Sequence, residues 1–301
     1  MGTKTVEMNK QAAMDLKKRY PQAEVRKTPP YALYQIRLSD CVITAYNSGK
    51  VVFQGDGADH HASGYTASSG KASKNKKSTI STPSKEIYPQ AGSDEVGTGD
   101  YFGPVTVCAT CVKQDDVDWL RELGIQDSKA VDDTLIRKLG PLLMERLPYS
   151  LLILDNAKYN RIHPTNNMVA IKSKLHNQAY VHLRRKLQGL PDFCIIDQFV
   201  QGSSYYRYLQ QESEVVRGIH FETKAENKYL SVACGSIIAR YAFLKAFDAM
   251  CEHYDFPFLK GASNKVDQNI RDFVRQHGED ALFHVAKLHF ANTVKALGKE
   301  L

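Results

Sequence analysis

Gly92-Ser93-Asp94-Glu95-Val96-Gly97-Thr98-Gly99-Asp100-Tyr101-Phe102-Gly103-Pro104 runs straight into Val105-Thr106-Val107-Cys108-Ala109-Thr110-Cys111-Val112. The second stretch is rich in β-branched residues and reads as a strand. The first sets two adjacent carboxylates against a glycine-rich turn. Neighbouring carboxylates at the mouth of a sheet repel one another and destabilise the fold unless a cation lies between them. Oxygen-only ligands suit hard ions such as Mg²⁺ or Mn²⁺. The glycines that follow let backbone N–H groups approach a ligand closely, a phosphate being the natural candidate. Carboxylate-held metal beside such a loop points to metal-assisted phosphodiester chemistry. An arbitrary Asp-Glu pair before a turn is more often two solvated acids, so the reading needs further partners.

Two more acids supply them. Asp197 ends the apolar run Phe193-Cys194-Ile195-Ile196, which places its carboxylate at the C-terminal edge of a strand, where open α/β sheets bind ligands. Glu226 stands just ahead of Leu230-Ser231-Val232-Ala233-Cys234-Gly235-Ser236-Ile237-Ile238-Ala239-Arg240, a helix rich in small residues and suited to close packing on a sheet. An acid at that helix's start also suits its dipole. Taken singly, the first is an ordinary turn residue and the second an ordinary cap.

Around these acids, strands and helices interleave. Residues 150–154 and 193–197 read as buried strands, and residues 133–146, 167–187 and 229–254 as helices. That alternation predicts an α/β domain with a mixed sheet flanked by helices. Upstream, residues 1–20 show apolar groups at helical spacing, and Pro21 ends that helix. Strands follow at 32–38 and 41–46, and a turn at Asn47-Ser48-Gly49-Lys50 leads into 51–55, a hairpin. From Ala62 the composition shifts to Ser, Gly, Thr and Lys with few large apolar groups, the mark of a tether. The expected organisation is therefore a small α/β domain over residues 1–61, a flexible linker over 62–85 and a larger domain over 86–301.

Charge divides along the same line. The chain of 301 residues carries a formal net charge of +7. Residues 1–90 hold 14 Lys and Arg against 7 Asp and Glu, whereas the remainder holds 26 of each. A basic appendage beside an acidic metal site suits an enzyme acting on a polyanion. Cys41, Cys108, Cys111, Cys194, Cys234 and Cys251 show no disulfide-framework spacing and read as reduced thiols. Cys108 and Cys111 stand three apart on a strand, so they face opposite ways and do not form half of a zinc site. The opening residues lack a signal-peptide apolar stretch, and no apolar run approaches the roughly 20 residues of a membrane span. A cytoplasmic protein without a membrane partner is expected.

The motifs GSDEVGTGDYFGPV, IQDSKAVDD, IIDQFVQG, KAENKYLSVACGSIIAR and KGASNKVD, with AKLHFANT near the end, together resemble bacterial ribonuclease HIII, a branch of the type 2 ribonuclease H family. The similarity runs from about Gly92 to the C-terminus. The basic module before it resembles that branch's substrate-binding domain, related to the TATA-binding-protein fold. The resemblance implies a ribonuclease-H-like mixed sheet and four catalytic, metal-holding carboxylates, which fall on Asp94, Glu95, Asp197 and Glu226. It implies two divalent ions, Mg²⁺ or Mn²⁺, and hydrolysis of the RNA strand of RNA–DNA hybrids to leave 5′-phosphate and 3′-hydroxyl ends. Glu226 and Thr98 stand where the related HII branch has Asp and Arg, and both choices are HIII-like. Gly97, Thr98 and Gly99 would meet the backbone and ribose, while Ser128, Lys129 and Lys228 are candidate substrate contacts. Asp127-Ser128 is equally a helix N-cap signal, and His289 reads more readily as a packed histidine than as a site residue. Incision at single ribonucleotides in duplex DNA and non-catalytic hybrid binding are the competing functions, and a monomer is the expected state.

Overall fold

The computed structural model describes residues 2–26, 28–29, 31–63, 65, 87–125 and 132–299. The chain divides into two compact units, Met1–Ile80 and Ser81–Leu301. The first unit contains β1 (Gly2–Glu7), α1 (Lys10–Lys18), β2 (Glu24–Val25), β3 (Ala32–Arg37), β4 (Val42–Tyr46), β5 (Lys50–Gly55) and α2 (Ala58–Ser63). Its five strands form an antiparallel sheet in the order β1-β5-β4-β3-β2. Ala13 and Leu16 of α1 pack with Tyr34, Ile36, Ile43, Ala45, Val51 and Phe53 in one core. The Tyr34 hydroxyl donates to the Ala13 carbonyl at 2.7 Å, tying the helix to the sheet.

The single helix expected over residues 1–20 is instead a strand and a shorter helix. Thr3, Thr5 and Val6 are β-branched, and they pair with Gln54, Val52 and Val51 of β5, a partner that local helical spacing cannot reveal. Asn9 then starts α1, its side chain accepting from the Ala12 N–H at 2.8 Å, and basic Lys17 and Lys18 close it. The predicted hairpin is present as β4 and β5, turning at Gly49 with φ +85°. Helix α2 extends past residue 61, where the small domain was expected to end. Most of the expected tether lies outside the described residues.

The second unit contains β6 (Gln90–Val96), β7 (Val105–Val112), α3 (Val117–Glu122), α4 (Asp133–Arg146), β8 (Tyr149–Leu154), α5 (Asn156–Ile162), α6 (Met168–Leu187), β9 (Phe193–Asp197), α7 (Gly202–Tyr208), β10 (His220–Glu222), α8 (Leu230–Tyr254), α9 (Asn264–His277), α10 (Leu282–Val285) and α11 (Ala291–Leu297). Its sheet runs β10-β9-β6-β7-β8. β6, β7 and β8 form an antiparallel meander, and β9 and β10 lie parallel to β6. This is the mixed sheet predicted from the alternation of elements. Every residue of β7 is buried, as both faces of a central strand are covered. Cys108 packs with the α8 side of the core and Cys111 with the α6 side, the opposite facing that strand alternation requires.

Helix α8 has the length and apolarity of a membrane span, with a mean hydropathy of 1.4, yet 72% of that window is buried within the protein. It lies almost on the sheet backbone. A Cβ on Gly92 of β6 would come within 2.4 Å of the Val232 nitrogen, and one on Gly235 within 2.8 Å of the Cys108 carbonyl oxygen. Hydroxyls complete the seam. Thr110 Oγ1 donates to the Ser231 carbonyl at 2.7 Å and Thr106 Oγ1 to the Ala239 carbonyl at 2.9 Å. Ser231 Oγ donates to Gln90 Oε1 at 2.8 Å. On the other face, the Tyr180 hydroxyl of α6 donates to the Ile195 carbonyl at 2.6 Å. Since the Gly92 contact is with backbone that cannot yield, Gly92→Ala should destabilise the protein by about 3 kcal/mol, read as a lowered urea midpoint.

Candidate active site

Register assembles the acids. β6 and β9 run parallel and pair Gln90 with Phe193 through Ser93 with Ile196. The next residues on the two strands, Asp94 and Asp197, therefore stand side by side where this pairing ends, on strands spaced roughly 4.8 Å apart. Side-chain alternation sends Gly92 and Asp94 to the α8 face and Ser93 and Glu95 to the α6 face. Ser236 of α8 accordingly faces Asp94 and tempers the rise of its carboxyl, while His176 of α6 meets Ser93 and Glu95.

Glu226 arrives from beyond the sheet. It sits on a 3₁₀ turn, Ala225–Asn227, just ahead of α8. Lys224, at φ +55°, turns the chain into it. Asp197 Oδ1 accepts from the Ala225 N–H at 2.8 Å and so fixes the turn against β9. Glu226 and Asp197 then lie within hydrogen-bonding reach of each other.

Electrostatics differ sharply among these groups. Burial, reinforced by the charges of Glu95 and Asp197, pushes the Asp94 carboxyl up to about 8. Burial and the adjacent Asp197 charge likewise raise Glu226. Glu226 Oε2 is buried with no hydrogen-bond partner. Such an orphaned acceptor among repelling acids fits a place where a cation could be held. Burial acts upward on Glu95 too, but His176 and Lys172 outweigh it and hold this acid below its ordinary range. Lys172 forms an ion pair with Glu95 Oε1, and His176 Nε2 lies 2.8 Å from Oε2. Among the described residues no three acids, histidines or cysteines are gathered into a closed metal-ligating group. Asp94, Asp197 and Glu226 share one side of the strand ends, and Glu95 is turned to α6. The donor set is all oxygen, as a hard divalent ion requires.

Comparison with known proteins follows this geometry. The Ribonuclease HII family profile matches residues 91–293, and a domain of unknown function matches residues 5–78. The chain is 43% identical to Ribonuclease HIII of Bacillus pumilus, covering 89% of this chain and 90% of that one. It is 40% identical to Ribonuclease HIII of Bacillus cereus, covering 97% of each. The chain belongs to the ribonuclease HIII family. The crystal structure of Bst-RNase HIII in complex with Mn²⁺ superposes with a TM-score of 0.69 at 37% identity, covering 99% of this chain and 98% of that one. Aquifex aeolicus RNase H3, at 18% identity and a TM-score of 0.55, shares the fold.

The remaining candidate positions fall out variously. Gly97 is buried at φ +91°, and a Cβ there would meet the Pro104 carbonyl oxygen at 2.2 Å. The turn therefore needs glycine, and it leaves Thr98 partly and Gly99 fully exposed beyond the acids. Ser128 and Lys129 lie outside the described residues. Lys228, expected at phosphate, donates to Glu222 Oε1 at 2.7 Å and the Thr223 carbonyl at 2.9 Å. His289 stacks on His163 with ring centroids 4.0 Å apart, and burial lowers it to about 4, so it is a packed neutral histidine.

Sequence reasoning missed Lys172, His176, Phe199 and Lys287. The first two are four residues apart on α6, a spacing that was available to read; their target on β6 was not. Lys287 is fully buried and donates to the Asp100 carbonyl at 2.8 Å and the Gly103 carbonyl at 2.5 Å. It pins the segment following the Gly97–Gly99 turn. Burial lowers this amine from its usual 10.5 to about 7. Between those values the unfolded chain binds a proton that the folded chain does not, so stability rises with pH across that window. Lys287→Met should abolish that rise, as measured by urea midpoints from pH 7 to 10.

Proposed function

We propose that Asp94, Glu95, Asp197 and Glu226 hold divalent metal and that this site hydrolyses the RNA strand of RNA–DNA hybrids endonucleolytically. The observation that carries the assignment is the parallel register setting Asp94 beside Asp197, with Glu226 and its orphaned oxygen across from them. The Mn²⁺ complex of Bst-RNase HIII supports a divalent ion here. Two ions, Mg²⁺ or Mn²⁺, would activate water in line with the scissile phosphate and stabilise the departing 3′-oxygen, leaving 5′-phosphate and 3′-hydroxyl ends.

The protein's own groups do the rest. Asp94, acted on by the charges of both Glu95 and Asp197, would hold divalent metal together with them. Its buried, repelling surroundings raise its affinity for any positive partner, and an arriving cation would displace the proton that the raised carboxyl otherwise binds. Ser236 faces Asp94 from α8, and the Ala225 N–H orients Asp197. The exposed Thr98-Gly99 edge lets backbone donors approach the ribose 2′-OH, the group that distinguishes RNA from DNA. The N-terminal unit supplies affinity: it carries the chain's positive excess, and its sheet with two helices suits the TATA-binding-protein-like, substrate-binding role.

Two experiments test this reading. Asp94→Asn should cut cleavage of a continuous labelled hybrid by about 10³-fold or more while leaving hybrid binding largely intact; cleavage at the wild-type rate would remove Asp94 from the site. A duplex containing one ribonucleotide should be incised far more slowly than the hybrid, and the reverse order would favour the HII-like function. Separately, deleting residues 1–85 should weaken hybrid binding and reduce the slope of log affinity against log salt. An unchanged slope would show that the anchor lies in the second unit.

A further inference from the structure

Glu95 is held by a complete assembly that the metal-site reading does not use. Lys172 and His176 stand at i and i+4 on α6, and each takes one oxygen of the same carboxylate. His176 is fully buried, and the Lys172 and Glu95 side chains are only 12% and 11% exposed. The second nitrogen of His176, Nδ1, lies 2.7 Å from Ser93 Oγ, two residues before Glu95 on the same strand. Both ring nitrogens thus have a polar partner, Glu95 at Nε2 and Ser93 Oγ at Nδ1. Phe199, two residues past Asp197, backs the whole group. The Lys172 ammonium lies 4.0 Å from its ring centroid, and the His176 ring stacks on it at 5.2 Å and 24°.

Two constraints act on this group. A carboxylate so enclosed must have its charge answered at all times. Glu95 must also turn from the α6 face towards Asp94 to help hold a cation there. Both are met if one cation replaces the other. Resting on the metal-site reading above, we propose that Lys172 and His176 are positioning residues that store Glu95 in the ion-free protein. Lys172 is the resident cation that a divalent ion displaces from Oε1. His176 is the pivot that keeps Oε2 and aims the carboxylate during the exchange. The two neighbours thus have opposite effects on ion binding: Lys172 competes with the ion, and His176 assists it.

Calorimetric titration of the full chain with Mn²⁺ tests this without reference to activity. Lys172→Met, freed of the competing ammonium, should bind Mn²⁺ about tenfold more tightly than wild type and show a larger Mn²⁺-induced rise in Tm. Lys172→Arg, which restores a cation, should return to wild-type affinity. His176→Leu should bind about tenfold more weakly. An unchanged or weakened affinity in folded Lys172→Met overturns the proposal, since a passive strut behaves that way. Amine-labelling of the wild-type chain reads the same exchange should that variant fail to fold. Lys172 must label faster with Mn²⁺ than without, and equal rates reject the exchange. If wild-type protein shows no Mn²⁺ binding that Asp94→Asn removes, the metal-site reading itself falls and takes this one with it. If that binding is present and only the Lys172 results fail, the loss is confined to the exchange.

Discussion

The contact on which the second unit depends is the seating of α8 against the backbone of β6 and β7 at Gly92 and Gly235. Helix and sheet ordinarily meet through side chains; here two missing Cβ atoms let main chain touch main chain. The consequence is positional. With α8 held at that depth, Ser236 reaches Asp94, and the turn ahead of the helix brings Glu226 to Asp197. A helix lifted by even one methyl radius would withdraw both. Thr106, Thr110 and Gln90 then satisfy polar groups along the seam, so the contact is as well hydrogen-bonded as it is close. Apolar packing of α8 against α4 and α9 secures the helix from behind.

That geometry has an electrostatic cost. Strand register forces Asp94 and Asp197 together, and the fold answers each acid differently. Asp197 receives a backbone N–H and Glu95 receives a lysine and a histidine, whereas Asp94, with the Glu95 N–H beside two like charges, and Glu226, with one oxygen orphaned, are left raised. Glu222, close by on β10, shows what full satisfaction looks like: Lys228, Tyr229 and His220 converge on it and hold it at about 2. A protein able to quench one acid so thoroughly has left its neighbours unquenched, as the proposed cation site requires.

Legibility in the sequence followed the range of the interaction. Strands β7, β8 and β9 and helices α4, α6 and α8 could be read because each carries its own periodicity. Asp94, Glu95 and Asp197 could be read as strand-end acids, and the ordered motifs tied Glu226 to them. Strand β1 could not, because Thr3, Thr5 and Val6 become a strand only through pairing with β5, some fifty residues on. The partner of Lys228 was hidden for the same reason: only the fold reveals Glu222 beside it. The clamp on Glu95 required knowing which face of α6 meets which strand, and neither local sequence states it.

A simple hybrid-binding role fits this anatomy poorly. Phosphate contacts are made by cations and N–H donors, and a binding surface gains nothing from burying carboxylates where the substrate's own charge must approach. Replacing Asp94 or Glu226 by a neutral residue would remove a buried charge and relieve the repulsion that adds to its cost, so their joint presence supports the proposed cation site over simple binding. On the proposed reading, the basic N-terminal unit and the acidic strand ends would divide the work between them. Attraction of the polyanion would belong to one unit and charge-compensated chemistry to the other, since neither set of residues could perform the other's part without cancelling it.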